Sequence, residues 1–486
     1  MMIRYRDYTY LGLTQSLCPE CLELVPAKVI EQDGRIYFRK TCRSHGQRDD
    51  FVCGDAKWFD RTDYSLPGKM PEQFGVAARR GCPFDCGLCE EHEQHTCIGL
   101  LEITSSCNLE CPMCFAESGP GGKHLSFQQC QAAIDRLVEV EGQPEILQLS
   151  GGEPTIHPQF AAILDYACQQ PIDIVMINTN GVRIAKDAAF LDLLQKYRHR
   201  IEVYLQFDGL SEASYPALRG EPLLETKLKA VERLGAAAIN TILVSTVQPH
   251  VNDDQMGAIV QFGQQRSWVT GASFQPATYS GRYVLPEDLE QRITFPDIIQ
   301  GIQQQTDQQW LETDFSPLPC AHPNGHTLAY AVRTSDGILP IARFIQLKNH
   351  LDLLSGRITF NRTRAKELIA EYLARQPCGL GGCDQDLSLG ETLDAATLTP
   401  SQLEVAAGFF QKAMTETLYP CDMFRITTTS FMDAYNFDVR QLMKSCVHFV
   451  LPSGHLIPFS AYNVLYRHGH VPLPPMEDSR LPLVRT

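Results

Sequence analysis

No stretch of this chain approaches the roughly 18 uninterrupted apolar residues of a membrane-spanning helix, so no membrane span is expected. Excess basic charge is missing as well. The 486 residues carry 42 Lys and Arg against 57 Asp and Glu, a net charge of -15, which disfavours nucleic-acid binding through clustered phosphate contacts. Internal repeats and low-complexity runs are absent, and Met1 to Tyr10 is polar where a secretion signal would be apolar. A cytoplasmic protein is expected. The apolar fraction of 44% and charged fraction of 20% are those of folded globular chains, and the length calls for two or three domains.

What the chain has in excess is cysteine, 18 in all. A reducing compartment disfavours stable disulfides, which leaves metal as the better reason for so many thiols. Two Cys-x3-Cys-x2-Cys runs are present, Cys82/Cys86/Cys89 and Cys107/Cys111/Cys114, where random placement would give about 0.02. Three thiolates in one short loop can hold three irons of a 4Fe-4S cluster and leave the fourth open, whereas electron-transfer clusters take four cysteines. A zinc knuckle, the alternative, usually has two Cys-x2-Cys pairs.

The remaining cysteines suggest further sites. Cys97 follows the first triplet closely, so Cys82, Cys86, Cys89 and Cys97 read as one closed auxiliary cluster, or a zinc site through the same four residues. His92 and His95 between them read as supporting donors or surface residues. Nearer the start, Cys18-x2-Cys21 and Cys42-x2-His45 flank Asp33-Gly34, a hairpin turn signal, which would bring both pairs around one zinc or iron ion. Cys53 competes with His45 for the fourth position. Cys320, Cys378, Cys383, Cys421 and Cys446 are scattered.

From about residue 100 the pattern becomes short apolar strands alternating with amphipathic helices. Strand-like segments at 100–103, 146–149, 172–177, 203–207, 241–247 and 273–275 form six β/α units, hence a parallel sheet whose active site gathers at the carboxyl ends of the strands. The expected fold is α/β, a partial (βα)6 barrel. Four segments follow: a metal module over 1–80, an auxiliary-cluster segment over 81–99, the core over 100–300 and an α+β region over 301–486. In the last, Thr399-Pro400-Ser401-Gln402 reads as a helix start, with Thr399 as N-cap and Gln402 completing a capping box.

The Cys107-Asn108-Leu109-Glu110-Cys111-Pro112-Met113-Cys114-Phe115 run, placed after the first strand, resembles the radical S-adenosylmethionine (SAM) superfamily. The resemblance implies that Cys107, Cys111 and Cys114 hold a 4Fe-4S cluster whose open iron takes SAM, which is cleaved reductively to a 5′-deoxyadenosyl radical. It also implies SAM contacts from Phe115, from Gly151, Gly152, Glu153 and Pro154, from Thr179 and Asn180, and from Gln206 and Asp208, with a flavodoxin- or ferredoxin-type electron donor. Over nearly the full chain, residues 81–89, 92–97, 103–109 and 431–438 are similar to the branch of tetraether synthases and radical SAM pterin methyltransferases. That branch implies metal ligands at Cys320 and Cys446, with Gly325 and Ser460 standing where it carries further cysteines. The reaction expected first is hydrogen abstraction from a saturated carbon for carbon-carbon coupling of lipid chains. The alternatives are methylation of a pterin or another small molecule, and, outside enzymes of this kind, an iron-sulfur carrier or scaffold.

Overall fold

The computed structural model describes residues 6–335, 337–354, 358, 362–375 and 398–477. Cys378 and Cys383 lie outside the described residues. Strands β1 (Thr9–Leu17), β2 (Leu24–Gln32), β3 (Arg35–Cys42) and β4 (Gly46–Cys53) pair in sequence order as an antiparallel sheet. Asp33 and Gly34 turn β2 into β3 with φ of 52° and 78°, the left-handed pair that a two-residue hairpin of this twist requires. Along β3 the residues Ile36, Phe38, Lys40 and Cys42 are buried in alternation, which puts an ammonium in the apolar row. Lys40 Nζ lies 2.8 Å from Asp50 and donates to the carbonyls of Leu17, Ala434 and Tyr435 at 3.0, 3.0 and 2.6 Å. Thr14 adds a 2.6 Å hydrogen bond to Asp438, so the small sheet is docked on the 431–438 segment by buried polar contacts.

The second sheet is built on six parallel strands in chain order: β5 (Ile98–Thr104), β6 (Ile146–Gly151), β7 (Ile174–Thr179), β8 (Ile201–Gln206), β9 (Thr241–Val247) and β10 (Val269–Pro276). Crossover helices between them include Phe127–Glu141, Phe160–Gln169, Leu224–Ala236 and Met256–Gln264, matching the expected alternation. The boundary expected at 300 marks the end of the repeating units rather than the end of the sheet. Beyond it come β11 (Ser316–Pro317), β12 (His326–Thr334), β13 (Gly337–Pro340), β14 (Met423–Thr429), β15 (Val447–Val450) and β16 (Leu456–Pro458). Of these, β14 runs parallel on β10 and β15 parallel on β5, with β12 and β16 antiparallel outside them. An open parallel sheet exposes two unpaired edges, and the C-terminal third covers both. Thr399 caps the helix Pro400–Met414 through the expected capping box with Gln402.

Strand alternation gives the sheet two unlike faces. Leu147, Leu149, Val175, Ile177, Val203, Leu205 and Leu243 pack under the helices in one core. On the opposite, inner face, Ile146, Met176, Ile242 and Val244 form an apolar layer joined by Ile98, Ile174, Tyr204 and Ile358. Toward the carboxyl ends the same face turns polar: Asn178 donates to Ser150 at 3.0 Å, Tyr204 and Ser273 lie 2.8 Å apart, and Gln275 donates to Tyr204 at 3.1 Å.

Replacing Lys40 with Ala should release the small sheet from the body, because it removes the donors to the Leu17, Ala434 and Tyr435 carbonyls and leaves the buried Asp50 with Arg48 alone, at about 1–3 kcal/mol for each buried group left without its partner. Hydrogen-deuterium exchange should speed up across β1–β4 and the 431–438 segment and stay slow in β6–β9; unchanged exchange in β1–β4 would refute this anchoring.

Candidate functional site

Cys107, Cys111 and Cys114 sit in the loop that leaves the carboxyl end of β5, and this loop is held almost entirely by backbone contacts. Cys107 N–H donates to Gly119 O at 2.9 Å, while Cys114 and Arg282 exchange backbone hydrogen bonds of 2.8 and 3.0 Å. The Arg282 side chain donates to the carbonyls of Cys111 and Ser118 at 2.5 and 2.8 Å. From β6, Gly152 N–H donates to Thr104 O at 2.8 Å and Glu153 N–H to Ser106 O at 2.9 Å. A Cβ at Gly151, which has φ of 129°, would collide with the Thr104 carbonyl oxygen, and one at Gly152 with that of Ser106. These glycines are therefore needed for close packing of two loops, whatever else they touch. Burial pushes the Cys107 thiol up to about 12 and raises that of Cys111, which the nearby Arg219 partly offsets. Both must give up protons to bind iron.

Several expected SAM contacts turn out to be occupied within the protein. Glu153 is buried, and its carboxylate accepts from Thr155 Oγ1 at 2.5 Å, Thr179 Oγ1 at 2.7 Å and Asn180 N–H at 2.7 Å. Burial raises its pKa. The structure makes it a tie between the loops after β6 and β7, and it brings Pro154 and Thr179 in beside it. Asn180 Nδ2 donates to Asn108 Oδ1 in the cysteine loop at 2.7 Å. Asp208 is fully buried and held by both nitrogens of Arg219 at 2.7 Å, with Gln206 donating to it at 2.9 Å. Glu153 and Asp208 are thus each held in place by protein donors on the loops around the site. Phe115 lies edge-on to Phe459, with ring centroids 5.0 Å apart, and Phe459 stacks on Phe431 at 3.7 Å, so its aromatic neighbours are protein rings.

Sequence reasoning missed the cations here. Arg219, from the short helix Ser214–Arg219, and Lys227, from the helix Leu224–Ala236, are buried together with Asp208 and Cys111 around them. Lys227 donates to Asn180 O at 2.6 Å. Desolvation lowers its pKa from 10.5 to about 8, against the opposing pull of Asp208. The signal was present: Lys227 falls in the buried stripe with Ala230, Val231 and Leu234, where a helix places apolar residues.

The metal-ligand readings divide. Cys18, Cys21, Cys42 and His45 converge, with all four ligand atoms within 4.8 Å of one another. His45 Nδ1 lies 3.5 Å from both Cys18 and Cys42, and Cys21 is 3.8 Å from Cys42. Cys53 is elsewhere, donating to Asp55 O at 3.4 Å, so His45 takes the fourth position. The four-cysteine cluster is corrected. Cys82, Cys86 and Cys89 line a small cavity with His92, Leu442, Met443 and Pro458, whereas Cys97 packs in a separate cluster with Cys320 and Cys446. Its eight-residue separation from Cys89 carries it to the start of β5, where its N–H donates to Cys446 O at 3.0 Å.

A family model described as the radical SAM superfamily matches residues 101–263, and one described as the HMPTM N-terminal zinc ribbon domain matches residues 10–54. The 7,8-dihydro-6-hydroxymethylpterin dimethyltransferase of Methanocaldococcus jannaschii is 32% identical over 485 residues, covering 93% of this chain and 94% of that one. The chain is a member of the radical SAM superfamily. Mycofactocin maturase MftC of Mycolicibacterium smegmatis is 33% identical over 156 residues, 32% of this chain and 38% of its own. Among solved structures, Streptococcus suis SuiB bound to SAM aligns with a TM-score of 0.37 at 14% identity, over 44% of this chain and 47% of that one. The superfamily uses a 4Fe-4S cluster with SAM, and the ribbon family fits the four converging ligands at Cys18, Cys21, Cys42 and His45. Among the described residues no helix is long and apolar enough to cross a membrane.

In this radical SAM chain, Gly151→Ala should cost at least tenfold in SAM affinity by pushing the loop after β6 off the Thr104 carbonyl. Gly119→Ala, whose added Cβ meets nothing within 4 Å, should bind SAM like the unaltered chain. Calorimetric titration of both reconstituted variants checks this, and equal affinities would overturn the packing argument.

Proposed function

We propose that this radical SAM chain methylates a small polar heteroaromatic of the pterin class. The observation that carries the reading is the inner face of the sheet, where Ser150, Asn178, Tyr204, Ser273 and Gln275 offer hydrogen-bonding groups above a closed apolar layer. Lipid coupling would need a long apolar tunnel, and alkyl chains laid over these groups could not meet the donor and acceptor capacity that Asn178 and Gln275 keep beyond their hydrogen bonds to Ser150 and Tyr204, at about 1–3 kcal/mol for each buried group left unsatisfied. The pterin dimethyltransferase that aligns along nearly the whole chain supports the same choice. A planar ring with donors and acceptors along its edge suits Asn178 and Gln275, whose amides can both give and take hydrogen bonds.

Cys107, Cys111 and Cys114 would hold three irons of the cluster. Their donor chemistry fits, and among the described residues they do not converge within 4.8 Å as the ribbon ligands do, a spread suited to several irons. When bound, the cluster and SAM supply an electron and a carbon-centred radical. Arg219 and Lys227 supply positive charge beside Cys111, matching the carboxylate of SAM. Glu153 is a positioning residue that fixes Thr179 and Asn180, and Asn180 steadies Asn108 between the first two cysteines. Cys82, Cys86 and Cys89 would hold an auxiliary cluster against His92.

Cys111→Ala should abolish reductive formation of 5′-deoxyadenosine in anaerobically reconstituted protein; substantial retained cleavage would refute the ligand role. Cells lacking this chain should lose methylated pterins and keep their lipid tails, and the opposite pattern would end the pterin reading. Lys227→Met should weaken SAM binding about tenfold or more, the loss of a charge-assisted hydrogen bond. In the metal-free chain, the folded pKa of about 8 lies below the ordinary 10.5, so the unfolded state binds the extra proton between those values. Stability should therefore rise with pH across that window and be lower below it. Denaturant titrations should show the rise in the unaltered chain and not in Lys227→Met.

A further inference from the structure

Arg425 belongs to β14 but reaches past two neighbouring strands on the inner face of the sheet. Along β8, Val203 and Leu205 pack under the helices, so Glu202 and Tyr204 face the inner side. Arg425 Nη2 donates to Glu202 Oε2 at 2.7 Å, although β10 and β9 stand between β14 and β8. Gly271, the neighbour of Arg425 in register on β10, lets the side chain cross: a Cβ there would come within 2.6 Å of Arg425 Cγ. Tyr330 is the cross-strand partner of Arg425 on β12, which sets the phenol on the same face.

Glu202 stands beside Met176 of the apolar layer, where an ion pair is costly unless its remaining hydrogen bonds are filled. Glu202 meets that condition, since its other oxygen accepts from Thr270 Oγ1 at 2.5 Å. Arg425 does not. A guanidinium carries five N–H groups, and Arg219 and Arg467 each set two nitrogens on one carboxylate, those of Asp208 and Glu102. Arg425 donates through Nη2 alone, and among the described residues no acceptor meets its Nε or Nη1. Its side chain keeps 28% exposure, which on this face opens into the space the strands curve around. Tyr204 and Tyr330 are partly exposed beside it, and among the described residues the Tyr330 hydroxyl has no hydrogen-bond partner.

Resting on the pterin reading above, we propose that Arg425 is the specificity-determining residue of this site and reads the edge of the ring that carries O4 and N5. One hydrogen of Nη2 goes to Glu202; the other lies parallel to an N–H of Nη1 or of Nε, both free, so a two-pronged donor edge remains. O4 and N5 of a pterin are acceptors side by side, as O6 and N7 are on guanine, where an arginine fork is the commonest specific contact. Glu202 and Thr270 hold the guanidinium in place, and Tyr330 adds a hydroxyl next to the fork. Glu202 stands four residues before the end of β8, so at about 3.3 Å per residue the guanidinium lies roughly 13 Å below the loops at the strand ends. A two-ring ligand standing on it turns its far end toward those loops, where the cysteines of the radical site are.

Calorimetric titration of the reconstituted, SAM-loaded full chain with two probes, 2-amino-4-oxopteridine and 2,4-diaminopteridine, tests this. The oxo compound should bind at least about a hundredfold more tightly, since an amino group at that corner sets donor against donor. Arg425→Gln should weaken binding of the oxo compound about tenfold or more, the loss of a charge-assisted contact, and narrow the ratio between the probes, while SAM affinity stays that of the unaltered chain. Equal binding of both probes by the unaltered chain, or an unchanged ratio in Arg425→Gln, would overturn the role of Arg425 and leave pterin methylation standing. No binding of the oxo compound by the unaltered chain would overturn both. The ratio in the unaltered chain decides the matter even if Arg425→Gln fails to fold.

Discussion

The close approach of three backbones governs this molecule. The loop of Cys107, Cys111 and Cys114 has no helix or strand of its own, so its shape is set by what it leans on: residues 151–153 on one side and 281–282 on the other. Each contact puts a glycine against a carbonyl. Gly151 and Gly152 face Thr104 and Ser106, and Gly281, with φ of 68°, faces the carbonyls of Cys114 and Phe115. A side chain at any of the three would push the loop outward, and ligand geometry tolerates displacements of only about half an ångström. The motif after β6 is thus a packing requirement first, and its place beside a cofactor follows from it.

Charge is arranged around the same loop. Burying Arg219 and Lys227 is costly unless each finds a partner. Arg219 has Asp208 in a two-pronged pair, while Lys227 keeps only a carbonyl as hydrogen-bond acceptor and has its ammonium pushed toward neutrality. A cation left with so little compensation, next to a cluster loop, is suited to a ligand that brings its own carboxylate. Asp208 and Glu153, by contrast, take donors from the protein, which ties the ends of β6, β7 and β8 together around the site.

What the sequence disclosed was local. The spacing of Cys107, Cys111 and Cys114, the Asp33-Gly34 turn, the Thr399 capping box and the six alternating units each depend on residues within a few positions of one another, and each stands in the fold. Contacts across long separations were not legible. Cys97 was grouped with Cys89 because they are neighbours in sequence, yet β5 carries it to Cys446, about 350 positions later; its partner could be found only once β15 was seen beside β5. The same holds for β14 and β15: their parallel neighbours β10 and β5 lie far back in the chain, outside the repeating strand-helix units, so nothing in their periodicity marks them as parallel strands of the main sheet. Lys227 is the exception, a long-range partner with a local sign, since a lysine in an apolar helical stripe must have something to hold.

The ribbon is not a passive attachment. Its Lys40 grips the carbonyls of Ala434 and Tyr435, and the adjoining Asp433 takes Arg292 at 2.7 Å and the Tyr279 N–H at 3.0 Å. Tyr279 is two residues from Gly281, whose backbone abuts Cys114. A continuous chain of buried polar contacts therefore runs from the ribbon, through the 431–438 segment, to the loop that fixes the third cysteine. Its non-covalent links are hydrogen-bonded or charged pairs at least partly away from water, and breaking such a pair strands the other partner. The ribbon, whose four ligand residues suit one metal ion, is thus anchored on the same segment that the loop beside the third cysteine leans on.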